Sequence, residues 1–149
     1  MGKIYFDPPK GFKPTVEVAG CFCEWEGKIL YLKRHADKPQ GNTWGLPAGK
    51  MEKGEDPRTA AVREVQEEVG IRLNPSDLQE VVKLYIQLED VGYVFHTFRT
   101  KLQKPPTITL EPDAHTEAQW LTIHQALKLP LIIGGKEVLE YYQLTNSLK

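Results

Sequence analysis

The sequence is poor in several features that would point to particular classes of protein. It has only two cysteines in 149 residues. Cys21 and Cys23 stand two positions apart in a predicted strand, a spacing that does not favour a disulfide. No other residues stand at the spacing that a zinc site requires. We therefore interpret both thiols as small buried side chains, and the lack of disulfides indicates a reducing cytoplasm.

Excess charge and long apolar runs are also lacking. Nineteen Lys and Arg residues oppose 20 Asp and Glu residues, for a net charge of −1. This balance gives no sign of the basic surface typical of proteins that bind nucleic acids or anionic membranes. No apolar run approaches the roughly 18 residues of a membrane span, and the N-terminus lacks the apolar core of a signal peptide. We therefore expect neither a nucleic acid nor a membrane as a partner.

The composition that remains is that of one globular domain. Hydrophobic residues make up 40% of the chain and charged residues 26%, and the length is sufficient to bury a core. The chain contains no repeat, no low-complexity tract and no linker between domains. We predict a single domain over residues 1–149. Its first 14 residues are rich in Pro and Gly and are predicted to form an irregular arm.

Strand and helix patterns are mixed along the chain. Strands are predicted at 15–25, 28–34, 43–46, 78–88, 93–102 and 117–121, and the Pro-rich loop at 103–116 has room for another at 107–110. Helices are predicted at 57–69, 123–127 and 136–148. The clearest helix begins after Asp56, a suitable N-cap followed by Pro57, and ends before Gly70. These elements predict an α/β fold in which a mixed sheet is sandwiched between helices.

Three carboxylates lie close together on the first helix. At about 100° per residue, Glu64, Glu67 and Glu68 fall within an arc of about 100°. The arc borders an apolar stripe formed by Ala61, Val62, Val65 and Val69. Like charges at this spacing destabilise a helix, whereas a bound Mg²⁺ would reverse that cost. Taken alone, the run REVQEE is more typical of a solvated acidic face.

The segment around this helix has a more specific pattern. Residues 49–71 read GKMEKGEDPRTAAVREVQEEVGI. Gly49 is followed after five residues by Glu55, and after seven more by Arg63-Glu64-Val65. One residue then precedes Glu67-Glu68, and one more precedes Gly70-Ile71. The segment resembles the signature of the Nudix (MutT-like) hydrolase family at every fixed position, and WGLPAG before it is similar as well.

This resemblance implies both a fold and an activity. A Nudix fold is expected, with an enzyme that uses Mg²⁺, or Mn²⁺ in its place, to cleave the diphosphate linkage of a nucleoside diphosphate derivative. The resemblance implies that Glu64, Glu67 and Glu68 bind the metal together with the backbone carbonyl of Ala48, where the family usually has Gly.

The resemblance also implies roles for two charged residues that do not bind the metal. It implies that Arg63 orients a glutamate of the motif and that Glu55 is its partner. An ion pair between them would hold the loop against the helix.

The general base is left open between two locations. Some Nudix enzymes use the glutamate at the position of Glu64, and others use an acidic residue on a loop outside the motif. In this chain Glu111, Asp113 and Glu117 are the loop candidates. Taken alone, each of the three is better explained as a solvated loop charge.

Candidates for substrate binding come from outside the helix. Arg34, at the end of the second strand, and Lys50, after Gly49, could contact phosphates. Tyr85 could stack on a base, as could Phe95 and His96, although packing within the sheet is the simpler interpretation for all three.

The substrate itself is not defined by the motif. A (deoxy)nucleoside triphosphate, an oxidised nucleotide and an ADP-ribose-like molecule are all candidates. The proline that marks ADP-ribose enzymes about fifteen residues past the motif is missing, since Ile86 lies in that region.

Two other functions are compatible with this fold. One is an inactive nucleotide-binding or regulatory Nudix module, although such domains usually lose a motif carboxylate. The other is isomerisation of an isopentenyl-type diphosphate, which would need Cys21 or Cys23 as a catalytic residue. The resemblance also allows a homodimer.

Overall fold

The computed structural model describes residues 2–146. Its strands are β1 (Lys3–Tyr5), β2 (Val16–Trp25), β3 (Lys28–Arg34), β4 (Trp44–Gly45), β5 (Ala48–Lys50), β6 (Gln79–Gln87), β7 (Gly92–Lys101) and β8 (His115–Leu121). Its α-helices are α1 (Pro57–Val69), α2 (Ile123–Leu127) and α3 (Gly135–Asn146). The helix predicted at 136–148 corresponds to α3, and positions 147–148 lie outside the described residues.

The strands form one mixed sheet with helices on both faces. The strand order is β1-β6-β7-β2-β3-β4, with β5 paired to β2 and β8 paired to β3. Strands β2 and β7 run parallel, and the other pairs are antiparallel. One face packs its apolar side chains against α1, and the opposite face packs against α2 and α3. The predicted α/β sandwich is confirmed.

Helix α1 has the bounds predicted from the sequence. The side chain of Asp56 accepts a hydrogen bond from the backbone N–H of Thr59 at 2.9 Å, and this caps the first turn. Gly70 ends the helix in the left-handed conformation, with φ of 77°. Val65 and Val69 on its apolar stripe are fully buried. Local sequence signals alone were sufficient to define this element.

Three short segments differ from the prediction. The arm at 1–14 is not irregular throughout, because Lys3–Tyr5 forms β1 against β6. The strand β5 was not anticipated at all. Residues 107–110 form no strand; instead the N–H of Thr109 donates to the carbonyl of Val69, and Ile108 and Leu110 pack beside α1. Contact with a helix end, rather than strand pairing, explains their alternating pattern.

The path of β2 determines where the segment at 49–71 meets the sheet. At its end β2 forms a hairpin with β3, whereas residues 18–20 pair with β5. Strand β5 therefore lies beside the start of β2, under the C-terminal half of α1.

No helix within residues 2–146 is long and apolar enough to span a membrane.

Candidate active site

A buried carboxylate of α1 contacts the loop that precedes the helix. The Oε1 atom of Glu68 accepts a hydrogen bond from the backbone N–H of Ala48 at 2.9 Å. Burial, followed by the negative charge of Glu64, raises the pKa of Glu68 to about 9. A buried carboxyl group with this pKa holds a proton at neutral pH unless a cation stabilises its charge.

A second buried carboxylate lies next to it. Glu64 is one turn earlier on α1 and only 8% exposed. Its pKa is raised, mainly by burial, and the positive charge of Arg63 opposes that shift. The carboxylate lies directly over Gly49, which places it against β5. Glu64 and Glu68 thus form an acidic pair at the junction of α1 and β5.

Arg63 connects the preceding loop to the acidic helix. Its Nε and Nη2 atoms donate to the two carboxylate oxygens of Glu55 at 2.8 and 2.9 Å. Nη2 also donates to the carbonyl of Lys50 at 3.0 Å. The Nη1 atom lies 3.4 Å from Oε2 of Glu64 and 3.1 Å from Oε1 of Glu67. The expected ion pair between Arg63 and Glu55 is therefore present, and it holds the loop at 50–55 against α1.

Glu67 is arranged differently from the buried pair. Its side chain is 52% exposed, and both of its oxygens accept hydrogen bonds from Arg63. In the part of the chain that the structure describes, no three His, Cys, Asp or Glu side chains surround a common point at which a metal ion would be held. Glu67 would have to turn away from Arg63 to join Glu64 and Glu68 around one ion.

The three acidic candidates on the 111–117 loop occupy different environments. The N–H of Glu111 donates to the backbone carbonyl of Glu68 at 3.0 Å, and the charge of Glu111 contributes to the raised pKa of Glu68. Glu117 forms an ion pair with Lys33 at 3.6 Å. Asp113 is exposed within a turn. Only Glu111 of the three is connected to the acidic pair by these contacts.

Arg34 lies within electrostatic reach of the same carboxylates. Burial raises the pKa of Glu68 and that of Tyr93, and the positive charge of Arg34 opposes both shifts. The Nε atom of Arg34 donates to the carbonyl of Pro39 at 2.8 Å. Tyr93 is half-buried and lies two positions before Phe95 on β7, so both rings face the same side of the sheet. Arg34 is therefore the candidate phosphate-binding residue that the fold brings to the site.

The other two candidates for substrate binding are placed less directly. The side chain of Lys50 is exposed, although its carbonyl anchors Arg63. Tyr85 packs edge-on against Phe12, with ring centroids 5.6 Å apart, and lies opposite Tyr5 of β1 in the register. These contacts place Tyr85 against the N-terminal arm, and none of them links it to the carboxylates.

A separate cavity lies at the other end of the sheet. It has a volume of about 550 Å³, and its lining includes Glu24, Trp25, Arg99 and Tyr142. Glu24 and Arg99 form a buried ion pair at 2.9 Å. This cavity does not include Glu64, Glu68 or Arg34, so it is distinct from the acidic site.

Comparison with known proteins identifies the family. The model of the NUDIX domain matches residues 13–142, most of the chain. The chain belongs to the Nudix family. The loop and helix at 49–71 are hereafter called the Nudix segment.

Several known proteins are similar to this chain over most of their length. The CTP pyrophosphohydrolase of Escherichia coli (strain K12) is 32% identical over 136 residues, which cover 90% of this chain and 96% of that protein. The ADP-ribose pyrophosphatase of Bacillus subtilis (strain 168) is 29% identical, covering 83% of this chain and 70% of that protein. The solution structure of the E. coli ORF135 protein superposes with a TM-score of 0.77 at 26% identity, covering 96% of this chain and 98% of that chain.

The structure also places the two cysteines of this Nudix protein. Cys21 and Cys23 are unpaired and fully buried in the apolar core under α1. The pKa of Cys21 is raised, chiefly by its contact with Cys23 and by burial. This agrees with their interpretation as packed side chains. It gives no support to a catalytic thiol of the isomerase type.

Sequence reasoning missed two residues near the Nudix segment. His115, on β8, pairs with Arg34 of β3. Tyr93, on β7, lies near enough to Arg34 for the charge of Arg34 to affect its pKa. The pattern of alternation along β7 could have suggested Tyr93, because it shares a face with Phe95. No local signal marks His115, since its neighbours are set by the pairing of β3 with β8.

Proposed function

We propose that this Nudix protein is a divalent-metal-dependent pyrophosphohydrolase that cleaves the diphosphate linkage of a nucleoside diphosphate derivative. The observation that carries the proposal is the buried acidic pair, Glu64 and Glu68. Within residues 2–146, no Lys, Arg or His lies within ion-pair distance of Glu68. Burial of two adjacent carboxylates is unfavourable when too few positive charges lie nearby, unless a metal ion neutralises them.

The donor set suits a hard divalent cation. Glu64, Glu67, Glu68 and the carbonyl of Ala48 are the proposed ligands, and all of them offer oxygen atoms, which Mg²⁺ prefers and Mn²⁺ accepts. When bound, the ion neutralises the diphosphate and lowers the pKa of a coordinated water. Arg63 and Glu55 act as positioning residues, because they hold the loop and the acidic face of α1 in a fixed relation.

We infer that Glu111 is the general base. Its backbone bond to Glu68 supports this assignment over Asp113, which is exposed, and over Glu117, which is paired with Lys33. A carboxylate in this position takes a proton from the attacking water as the bond between oxygen and phosphorus forms. Glu64 is the alternative base.

Arg34 is the proposed phosphate-binding residue, with Lys50 as an exposed second cation. Tyr93 is a second aromatic candidate for contact with the nucleoside, because the charge of Arg34 acts on it; the role of Tyr85 stays a prediction from the sequence. The homodimer and the cytoplasmic location stay predictions as well.

A substrate screen tests the proposal. The purified protein is incubated with nucleoside triphosphates, oxidised nucleotides, ADP-ribose and sugar nucleotides, with Mg²⁺ or with EDTA, and product release is measured. We expect turnover of at least one nucleotide with Mg²⁺, none with EDTA, and loss of turnover in Glu64→Gln. Glu140→Gln, an exposed carboxylate on α3, is the matched control and retains activity.

Two results would contradict the proposal. One is turnover that persists in EDTA or in Glu64→Gln. The other is binding of nucleotides without hydrolysis of any of them, which would favour the regulatory module instead.

A further inference from the structure

The turn that carries Glu111 is closed by hydrogen bonds at both backbone polar groups of this residue. Its N–H donates to the carbonyl of Glu68 on α1 at 3.0 Å. Its carbonyl accepts from the N–H of Ala114 at 3.4 Å and from the N–H of His115 at 3.2 Å. His115 is the first residue of β8. The position of Glu111 therefore depends on α1 at one side of the turn and on His115 at the other.

A β-bulge sets the direction of the His115 side chain. Lys33 pairs with Glu117 and Arg34 pairs with His115, so Thr116 has no partner on β3. Side chains along a strand alternate between the two faces of the sheet. Glu117 is exposed and stands two positions after His115, so strict alternation would expose His115 as well. The extra residue shifts the alternation, and His115 is only 6% exposed.

The buried imidazole has a nitrogen that packing does not explain. Its Nδ1 atom is buried and has no hydrogen-bond partner among the residues that the structure describes. Burial, followed by the charges of Arg34 and Lys38, lowers the pKa of His115 to about 4, so the ring is uncharged at neutral pH. Burial of a polar atom without a partner is unfavourable. Because an apolar side chain would fill the same space without that cost, bulk alone does not account for a histidine here.

A second loop meets the turn at the same place. The N–H of His35 donates to the carbonyl of Ala114 at 2.9 Å, which joins the loop after β3 to the turn at 111–115. The charges that act on His115 come from Arg34, at the end of β3, and from Lys38, within that loop. The imidazole of His115 therefore lies where the two segments come together.

We propose that His115 is a positioning residue that fixes Glu111 relative to the buried acidic pair. The buried ring holds the turn at 111–115, and Nδ1 hydrogen-bonds to ordered water at the junction of the two loops, as buried polar groups without a protein partner commonly do. The inference rests on the proposed function, because it assigns His115 an effect on the residue that takes the proton. It differs from a general contribution to stability, since the effect is exerted through one carboxylate.

The first experiment is a double-variant cycle in catalysis. Values of kcat and KM are measured for His115→Leu, for Glu111→Gln and for the double variant, with the nucleotide that the substrate screen shows to be hydrolysed fastest. A small displacement of a positioned group costs up to about 100-fold in rate, so His115→Leu should lower kcat by about 10- to 100-fold with little change in KM. If His115 acts through Glu111, the double variant is no slower than Glu111→Gln alone. Losses that multiply in the double variant would overturn the inference.

Two conservative variants test the role of Nδ1. Asparagine has polar atoms bonded to Cγ, as Nδ1 of histidine is, whereas those of glutamine lie one carbon farther out. His115→Asn should therefore retain a higher kcat than His115→Gln, a comparison that stands even if His115→Leu does not fold. His124→Leu, at an exposed position on α2, is the matched control and should retain full activity. Equal losses in the Asn and Gln variants, or no loss in either, would contradict a role for Nδ1.

Hydrogen exchange of backbone amides tests the same inference without turnover. The N–H groups of Glu111 and His115 should exchange faster in His115→Leu than in the unsubstituted protein, while that of Val65 in α1 should be unchanged. If exchange responds in this way and no nucleotide is hydrolysed, the proposed function fails but the positioning of the turn stands. If nucleotides are hydrolysed and exchange at Glu111 does not change, the inference alone is refuted.

Discussion

The carboxylate of Glu64 occupies the space that a side chain at Gly49 would need. A Cβ atom at position 49 would lie 2.1 Å from Oε2 of Glu64 and 2.2 Å from its Cδ. Gly49 is not among the glycines with positive φ, so its backbone conformation does not require glycine. The requirement is steric: helix α1 and strand β5 approach so closely that Glu64 can lie against the sheet only where no side chain intervenes.

Gly49→Ala should therefore displace Glu64 and lower activity. A shift of about 1 Å in a positioned group costs about 100-fold in rate, and we expect kcat to fall by about that factor. The matching measurement is the free energy of unfolding of Gly49→Ala, of Glu64→Ala and of the double variant. Gly49→Ala should destabilise the protein when Glu64 is present, and much less when Glu64 is replaced by alanine. Equal destabilisation in both backgrounds would show that the contact with Glu64 is not the cause.

Glu111→Gln should separate the candidate bases. If Glu111 accepts the proton of the attacking water, its amide replacement lowers kcat by about 10²–10⁴-fold with little change in KM. Asp113→Asn and Glu117→Gln are matched controls from the same loop and should each retain most of the activity. Steady-state kinetics at saturating Mg²⁺ provide the measurement. A large loss in Glu117→Gln with none in Glu111→Gln would assign the general base to Glu117 and refute our inference.

Metal binding should depend on pH through Glu68. Because the pKa of this carboxyl is raised to about 9, it holds a proton below that pH, and a metal ion must displace the proton to bind. The apparent affinity for Mn²⁺ should therefore rise by about tenfold per pH unit between pH 7 and pH 9. Calorimetric titrations at several pH values measure this slope, and Glu68→Gln should remove it. An affinity that is independent of pH in the unsubstituted protein would contradict the raised pKa or the ligand assignment.

Glu55 should contribute to stability with the opposite dependence on pH. Hydrogen bonds from Arg63, followed by the N–H of Glu52, lower its pKa from 4.5 to about 2. A lowered pKa means that the ionised group stabilises the fold. That contribution is complete above about pH 4.5 and is lost as the pH falls toward about 2.

Urea unfolding between pH 2.5 and pH 7 would test this expectation. The difference in free energy of unfolding between the unsubstituted protein and Glu55→Gln should be constant near neutral pH and shrink below about pH 4.5. Glu89→Gln, an exposed position in the turn between β6 and β7, serves as the control and should show no such convergence. A difference that stays constant down to pH 2.5 would mean that the ion pair with Arg63 adds nothing to stability.

Elements defined by short-range signals were predicted closely. Helix α1 needed only the cap at Asp56, the stop at Gly70 and the apolar period between them, all of which act within a few residues. The long strands β6 and β7 were placed to within one residue at each end, because alternation of apolar residues extends over each of them. In contrast, β1 and β5 contain three residues each. Such short segments carry no pattern of their own, and their pairing depends on strands far away in the chain.

The candidate site divides in the same way. The Nudix segment identified the carboxylates Glu64, Glu67 and Glu68 and the pair of Arg63 with Glu55, because the spacing of residues on one helix and its adjoining loop sets their geometry. Spacing could not show that Glu67 faces Arg63 rather than the buried pair. It also could not place Tyr85, whose contact is with Phe12 of the N-terminal arm.

The sequence by itself determined the family, the helix that bears the acidic residues and the residue types that would bind a metal, since these depend on local geometry and chemical identity. Only the tertiary structure decided that Glu111 forms a backbone hydrogen bond with Glu68 and that Arg34 pairs with His115. Those relations arise from strand pairing and from hydrogen bonds between distant segments. The free energy that stabilises these contacts comes from burial of the whole sheet against its helices, and no short stretch of sequence carries that information.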